Sequence, residues 1–173
     1  MKKICLLVMS LLMTFCCTAC IFDISIFKKS NEEIADETFS TVIEAIESKD
    51  QTKLLGLFSK TVHNEVHALE ENALELFEFI EGDILSFSKA MESGMITHDS
   101  VDYGKRKKEI ESAFNIKTSQ KTYYFAIKEC TRDDYNDDNV GIVSIYVIDS
   151  ENWGKDYVYR GDAEWAPGIN IVQ

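Results

Sequence analysis

From Ile34 onward the apolar positions Phe39, Val42, Ile43 and Ile46 recur at the three-to-four spacing of a helix face. Ser30 followed by Glu33 has capping-box spacing, so the pattern predicts a first helix over 30–48. Asp50 stands where it can cap a second, short helix carrying Leu54, Leu55 and Phe58. A third stripe of Val66, Leu69, Ala73, Leu76, Phe77 and Ile80 predicts a helix over 64–80. Glu70, Glu71, Glu75, Glu78 and Glu81 lie largely away from that stripe and read as a solvated face.

Gly82-Asp83 ends the helical period, and the pattern changes to two. Residues 84–91 read as extended, 94–100 as a loop, and 101–118 as one bent strand in which 105–112 would alternatively form a helical turn. Residues 121–132 alternate cleanly, with Tyr123, Phe125 and Ile127 on one face and Tyr124 and Ala126 on the other. A polar turn over 133–139 leads to a strand over 140–150, with Val143, Ile145 and Val147 set against Ile142, Tyr146 and Ile148. These two strands predict an antiparallel hairpin. A last short strand over 169–172 follows Pro167-Gly168. Helices first and strands afterwards define an α+β class: N-terminal helices packed on a curved, mainly antiparallel sheet.

The first twenty residues carry a different signal. Lys2 and Lys3 precede an uncharged, mostly apolar run that closes on Cys17-Thr18-Ala19-Cys20. That is the layout of a secretory signal, and its end resembles a bacterial lipobox with Cys20 as the lipid-accepting residue. The expected organisation is a signal over 1–19, a lipidated Cys20 with a short tether over 20–29, and a single α+β domain over 30–173. The expected location is the extracytoplasmic face of the cell membrane, held by the lipid on Cys20. Two other readings use the same residues. Cys17-Thr18-Ala19 also fits an ordinary small-x-small cleavage site, and 4–22 is uncharged and long enough to span a bilayer if left uncleaved.

The formal charge is −12, and −14 once Lys2 and Lys3 are removed. Nucleic acid is excluded as a partner by that balance, since phosphate contacts need clustered Lys and Arg; a basic protein partner suits it. Of the five cysteines, Cys5, Cys16 and Cys17 precede Cys20, so Cys130 alone remains for the domain and reads as a buried structural thiol.

The stretches Leu76-Phe77-Glu78-Phe79, Asp102-Tyr103-Gly104-Lys105, Asn139-Val140-Gly141 and Gly161-Asp162-Ala163-Glu164-Trp165-Ala166-Pro167-Gly168-Ile169 carry a resemblance that covers nearly the whole mature chain. With the element order, they resemble an uncharacterised family of Gram-positive cell-surface lipoproteins built on the nuclear transport factor 2-like, or cystatin-like, cone fold. The resemblance implies the fold and the location. It implies no activity, and the quoted motifs read as structural.

His63 and His67 are four apart on the predicted third helix, as metal ligands often are, but Asn64 stands where a metalloprotease needs its Glu. With His98 as a distant third ligand the set is weak, and surface histidines are the simpler reading. The Asp133-Asp134-Tyr135-Asn136-Asp137-Asp138-Asn139 run fails calcium-loop grammar, with Asn139 at the glycine position and Ile145 at the final carboxylate. No metal or cofactor is therefore expected. Lys105-Arg106-Lys107-Lys108 reads as a charged strand end or, alternatively, as a contact for anionic polymer or headgroups.

Asp102, Tyr103, Tyr124, Tyr146, Tyr159 and Trp165 are the polar and aromatic groups that a cone would aim into a pocket. The sequence favours a binding module for a small ligand or a protein partner. One alternative is an isomerase or dehydratase with Asp102 as base and tyrosines as donors; the other is an acidic immunity or inhibitor protein.

Overall fold

The computed structural model describes residues 29–90, 95–151 and 165–172, and the fold lies in the unit that begins at Asn31. Among the described residues four helices come first: α1 Asn31–Ser48, α2 Gln51–Leu55, α3 Lys60–Glu65 and α4 Leu69–Phe79. Strands follow: β1 Ile84–Lys89, β2 Ile96–Asp102, β3 Lys105–Thr118, β4 Thr122–Asp133, β5 Gly141–Asp149 and β6 Gly168–Val172. They form one sheet in the order β1-β3-β4-β5-β6, with β2 also on β3. The fold is α+β with a six-stranded, mixed, curved open sheet, consistent with a cone. Among the strand pairs of the described residues β5–β6 is parallel and the others antiparallel.

Local chemistry accounts for the helix boundaries. Lys49 takes a left-handed φ of 51° after α1, and the Asp50 N–H donates to Ala45 O at 2.9 Å, closing the helix in a Schellman-type turn. Asp50 then accepts the Lys53 N–H at 2.9 Å and caps α2. The expected third helix is two helices. Ser59 caps α3 by accepting the Val62 N–H, and Val66 leaves helical geometry before α4 begins at Leu69. Val66 turns onto β6 instead, so close to Gly168 that a Cβ there would lie 3.0 Å from Val66 Cγ1.

Two strand expectations also change. Residues expected as a loop over 94–100 contribute β2, which pairs antiparallel with β3 from Ile96↔Glu111 to Asp102↔Lys105. Its Ile96-Thr97-His98-Asp99-Ser100 run lacked an apolar signal because this edge strand is largely solvated. The expected bent strand over 101–118 is accordingly cut at Tyr103-Gly104, where φ values of 46° and 78° make a two-residue hairpin turn of the I′ kind. On β5, Ile142 joins Ile145 and Val147 on the helix side, not the opposite face. A register shift between Lys128 and Glu129 of β4 skips Val143 and flips the alternation beyond it. Further shifts at Ile84/Ser86 and Lys108/Glu109 add to the bending of the sheet.

The main core lies between the helices and one sheet face, with Phe114, Ile116, Tyr123, Phe125, Ile127, Ile145 and Val147 from the strands. Phe39 of α1 is its centre. Its ring stacks on Phe114 at 3.8 Å and meets Phe87 and Phe125 edge-on at 5.2 and 6.0 Å. Tyr123 serves the end of α4: its hydroxyl donates to Phe79 O at 3.0 Å and accepts the Glu81 N–H at 2.9 Å. The opposite sheet face carries a second cluster of Ala113, Tyr124, Ala126, Tyr146 and Ile148.

Phe39→Ala removes a fully buried ring that touches three strands, and it should destabilise the domain by about 3–5 kcal/mol. Urea denaturation checks this; a loss under about 1 kcal/mol would mean that the neighbouring rings close the space.

Candidate functional site

The first two turns of α1 lie over the β1–β3 side of the sheet and leave a cleft of about 220 Å³ there. Its lining includes Glu32, Ala35, Lys89, Met95, Ser112 and Phe114. The pleat explains the set: Ser112 and Phe114 are successive helix-facing positions of β3, opposite Ile127 and Phe125 of β4. Small residues on the helix, Ala35 above all, keep the space open. Asp36 bridges to Lys89 at 3.2 Å, linking α1 to the end of β1. Both side chains are about half exposed, so this bridge adds little stability and mainly sets the rim.

On the β4 side of α1 sits a buried acid that the sequence reading missed. Glu129 lies opposite Ile110 and Ile142 and is only 6% exposed. Thr38 Oγ1 donates to its Oε2 at 2.8 Å, while Oε1 is buried with no hydrogen bond. Burial pushes the Glu129 carboxyl up from its ordinary value, and the Thr38 hydrogen bond only partly opposes this. The alternation of β4 would have assigned Glu129 to the helix side with Ile127, which is a warning sign for a charged residue in a core position.

A second groove, of about 460 Å³, lies at the other end of α1 over Ile46, Phe77, Ile80 and Ile84, rimmed by Glu47, Lys49 and Asp83.

The expected pocket residues separate into two groups. Asp102 and Tyr103 are exposed at the tip of the β2–β3 hairpin. Tyr124, Tyr146 and Trp165 are together on the sheet face away from the helices, with the Tyr146 and Trp165 rings 5.7 Å apart. Tyr159 and Cys20 lie outside the described residues. Tyr146 makes contacts that hold the chain. The Ala166 N–H donates to Tyr146 Oη, and Ala166 O accepts from Ser144 at 2.6 Å and from the Asn170 amide at 3.0 Å. This fixes the parallel β6 beside β5. Asp102 in solvent cannot act with those tyrosines, so an isomerase or dehydratase site built on them is not assembled.

The remaining candidates also resolve into structure. His63 is on α3, hydrogen-bonded to Leu55 O at 2.9 Å, whereas His67 falls in the turn beyond it, off the shared helical face. His98 on β2 faces Glu111 at 3.5 Å. Among the described residues no group of three or more His, Cys, Asp or Glu could hold a metal ion. The acidic turn binds itself. Asp133 accepts the Tyr135 N–H and the Asn139 amide, and the Asn139 hydrogen bond holds its carboxyl below the usual value. Three of the four residues of the basic run have polar partners: Arg106 pairs with Asp99, Lys107 with Glu109 at 2.9 Å, and Lys108 donates to Asn31, while Lys105 lies over the Tyr135 ring. Cys130 is buried and free, and burial raises its thiol pKa.

The chain matches the model of the domain of unknown function DUF5104 over residues 41–150, more than half its length, and it belongs to that family. A comparison with curated proteins found no match. The matched stretch runs from the second half of α1 to the end of β5. It contains Glu129 and the strand side of the cleft; Glu32, Ala35 and Thr38 precede it.

Glu129 gives a pH signature whose sign follows from its raised carboxyl. Between the ordinary value of 4.5 and the folded value, the folded state keeps a proton that the unfolded chain has released. Stability therefore falls as pH rises through that window and levels off above it. Glu129→Gln should flatten this decline and leave the variant at least as stable as wild type at pH 7. Denaturation midpoints from pH 4 to 8 check it; parallel profiles for the two proteins would remove Glu129 as the source.

Proposed function

We propose that this protein is a cell-surface lipoprotein acting as a binding module: a lipid on Cys20 tethers it to the membrane, and the cleft beneath α1 receives one compact group from a protein partner. The cleft is the observation that carries the binding part of this reading. It offers an apolar wall from Ala35, Met95 and Phe114, one hydroxyl from Ser112, a cation from Lys89 and a carboxylate from Glu32. That is a recognition set, with no paired nucleophile and base among its members. A volume of about 220 Å³ is below the ~300–1,000 Å³ usual for small-molecule sites, which favours a side chain presented by a protein. The charge of −12 and the exposed Glu70, Glu71, Glu75 and Glu78 on α4 suit a partner of net positive charge. Among the described residues no helix is long and apolar enough to cross a membrane.

Ala35→Leu should fill the cleft. Panning a library of basic peptides against the whole protein should yield binders whose affinity drops at least about tenfold with this variant and weakens with salt. Binders indifferent to Ala35→Leu, or compounds of a metabolite library that alone protect Ser112 and Met95, would redirect the reading.

Anchoring is tested separately. The membrane-fraction protein should have the mass of the chain from Cys20 plus a diacylglyceryl group, and Cys20→Ala should abolish that mass. Cys16→Ala and Cys17→Ala should leave it in place. Native protein retaining residues 1–19 in the membrane would point to an uncleaved span instead.

A further inference from the structure

Tyr103 is held where a tyrosine is costly on two counts. Its φ of 46° is left-handed, a region that Gly, Asn and Asp occupy far more cheaply. Its side chain is 96% exposed, the most exposed of the large apolar and aromatic residues among the described residues. Neither its own backbone nor any packing explains its presence.

The residue has company. Val101 is 68% exposed and Tyr135 half exposed, with Lys105 Nζ 4.9 Å from the centre of the Tyr135 ring. Tyr135 Oη donates to Asp102 O at 2.8 Å, so the aromatic patch is braced on the turn itself. The neighbouring cations are matched by acids, Arg106 by Asp99 and Lys107 by Glu109. The tip thus presents aromatic and aliphatic surface beside the acidic 133–138 turn, whose Asp134 is paired with Arg132.

Its place in the fold says what it faces. Asn31, the first residue of α1, donates to Thr97 Oγ1 at 3.0 Å and accepts from Lys108. Beyond that contact β2 runs five more residues from Thr97 to the turn and β3 three from Lys108, roughly 10–16 Å of hairpin. From Asn31 α1 runs the other way, toward Phe39 on Phe114. The hairpin therefore projects from the end of the domain at which the chain enters. Ten residues lie between Cys20 and Asn31, a reach of at most roughly 40 Å.

We infer that the tip of the β2–β3 hairpin is a membrane-interface contact, in which Val101 and Tyr103 enter the headgroup region of the bilayer that carries the Cys20 lipid. The inference rests on the lipoprotein reading above. Tyrosine is suited to that layer, with an apolar ring and a hydroxyl that stays wet, and Lys105 can keep its ammonium in water while its stem follows the ring. The contact depends on apolar burial by Val101 and Tyr103 and, with the acids of the 133–138 turn beside it, gains nothing from anionic headgroups, so added salt should not weaken it.

The test uses the full chain, lipidated in cells and reconstituted in vesicles of phosphatidylethanolamine and phosphatidylglycerol. Asp102→Cys carries an environment-sensitive fluorophore, since Cys130 is buried. Thr52→Cys on α2, beyond the far end of α1, is the control. The label at 102 should be blue-shifted and several-fold more quenched by a headgroup-borne quencher than the label at 52. Adding Tyr103→Asn should remove most of that difference while raising the melting temperature, because Asn fits the turn. Protein of full lipidated mass whose 102 label is as wet as its 52 label overturns the inference and leaves the lipoprotein reading standing. Protein without the lipid mass that fails to float with vesicles removes that reading, and the inference with it. Protection at 102 only when a protein partner is added would assign the tip to that partner and overturn the membrane contact.

Discussion

The arrangement depends on how α1 is seated. A helix across a twisted sheet needs one side chain that reaches several strands, and Phe39 is that side chain, touching Phe87 of β1, Phe114 of β3 and Phe125 of β4. Offset and edge-on ring contacts prefer particular geometries, so the cluster fixes both the height and the rotation of the helix. That rotation places Ala35 over the cleft and Thr38 against Glu129, and it sends Asp36 to Lys89 on the other flank. Site and core are thus set by one contact.

The rotation has a polar cost that the fold tolerates. Glu129 keeps one carboxylate oxygen without a partner inside the protein, as does Asp36. Buried polar atoms without partners are uncommon and destabilising. An apolar residue of the same size would satisfy the packing at Glu129, so that acid marks a part of the core not optimised for stability, whereas Asp36 is half exposed and offset by Lys89.

The sequence was most informative where burial imposes a strict period. The strand over 121–132 and its hairpin partner were legible because Tyr123, Phe125 and Ile127 must all meet the helices. β2 was illegible for the opposite reason: an exposed edge needs no alternation, so its Thr, His, Asp and Ser read as loop. The break at Val66 and the skipped Val143 depend on contacts with β6 and β4, which no local pattern encodes. The site shows the same division. Asp102 and Tyr103 drew attention by residue type alone, yet the turn places them in solvent. Glu129 went unremarked although the register of its own strand pointed it inward. Two of the stretches that suggested a family likeness contain residues that hold the chain in place: Phe79 receives the Tyr123 hydroxyl, and Ala166 is gripped by Ser144 and Asn170.

Gly141 is where two distant parts of the chain come closest. A Cβ there would lie 2.8 Å from Ser59 N and 3.0 Å from Leu57 O, and the neighbouring Ile142 exchanges hydrogen bonds with the same segment, from Ser59 at 3.0 Å and to Leu57 at 2.8 Å. The helical layer is thereby clasped to β5, more than eighty residues further along. A clasp of that span means high contact order, and the loop entropy must be lost before the contact repays it. The helices consequently wait, only partly buried, for a strand made more than eighty residues later.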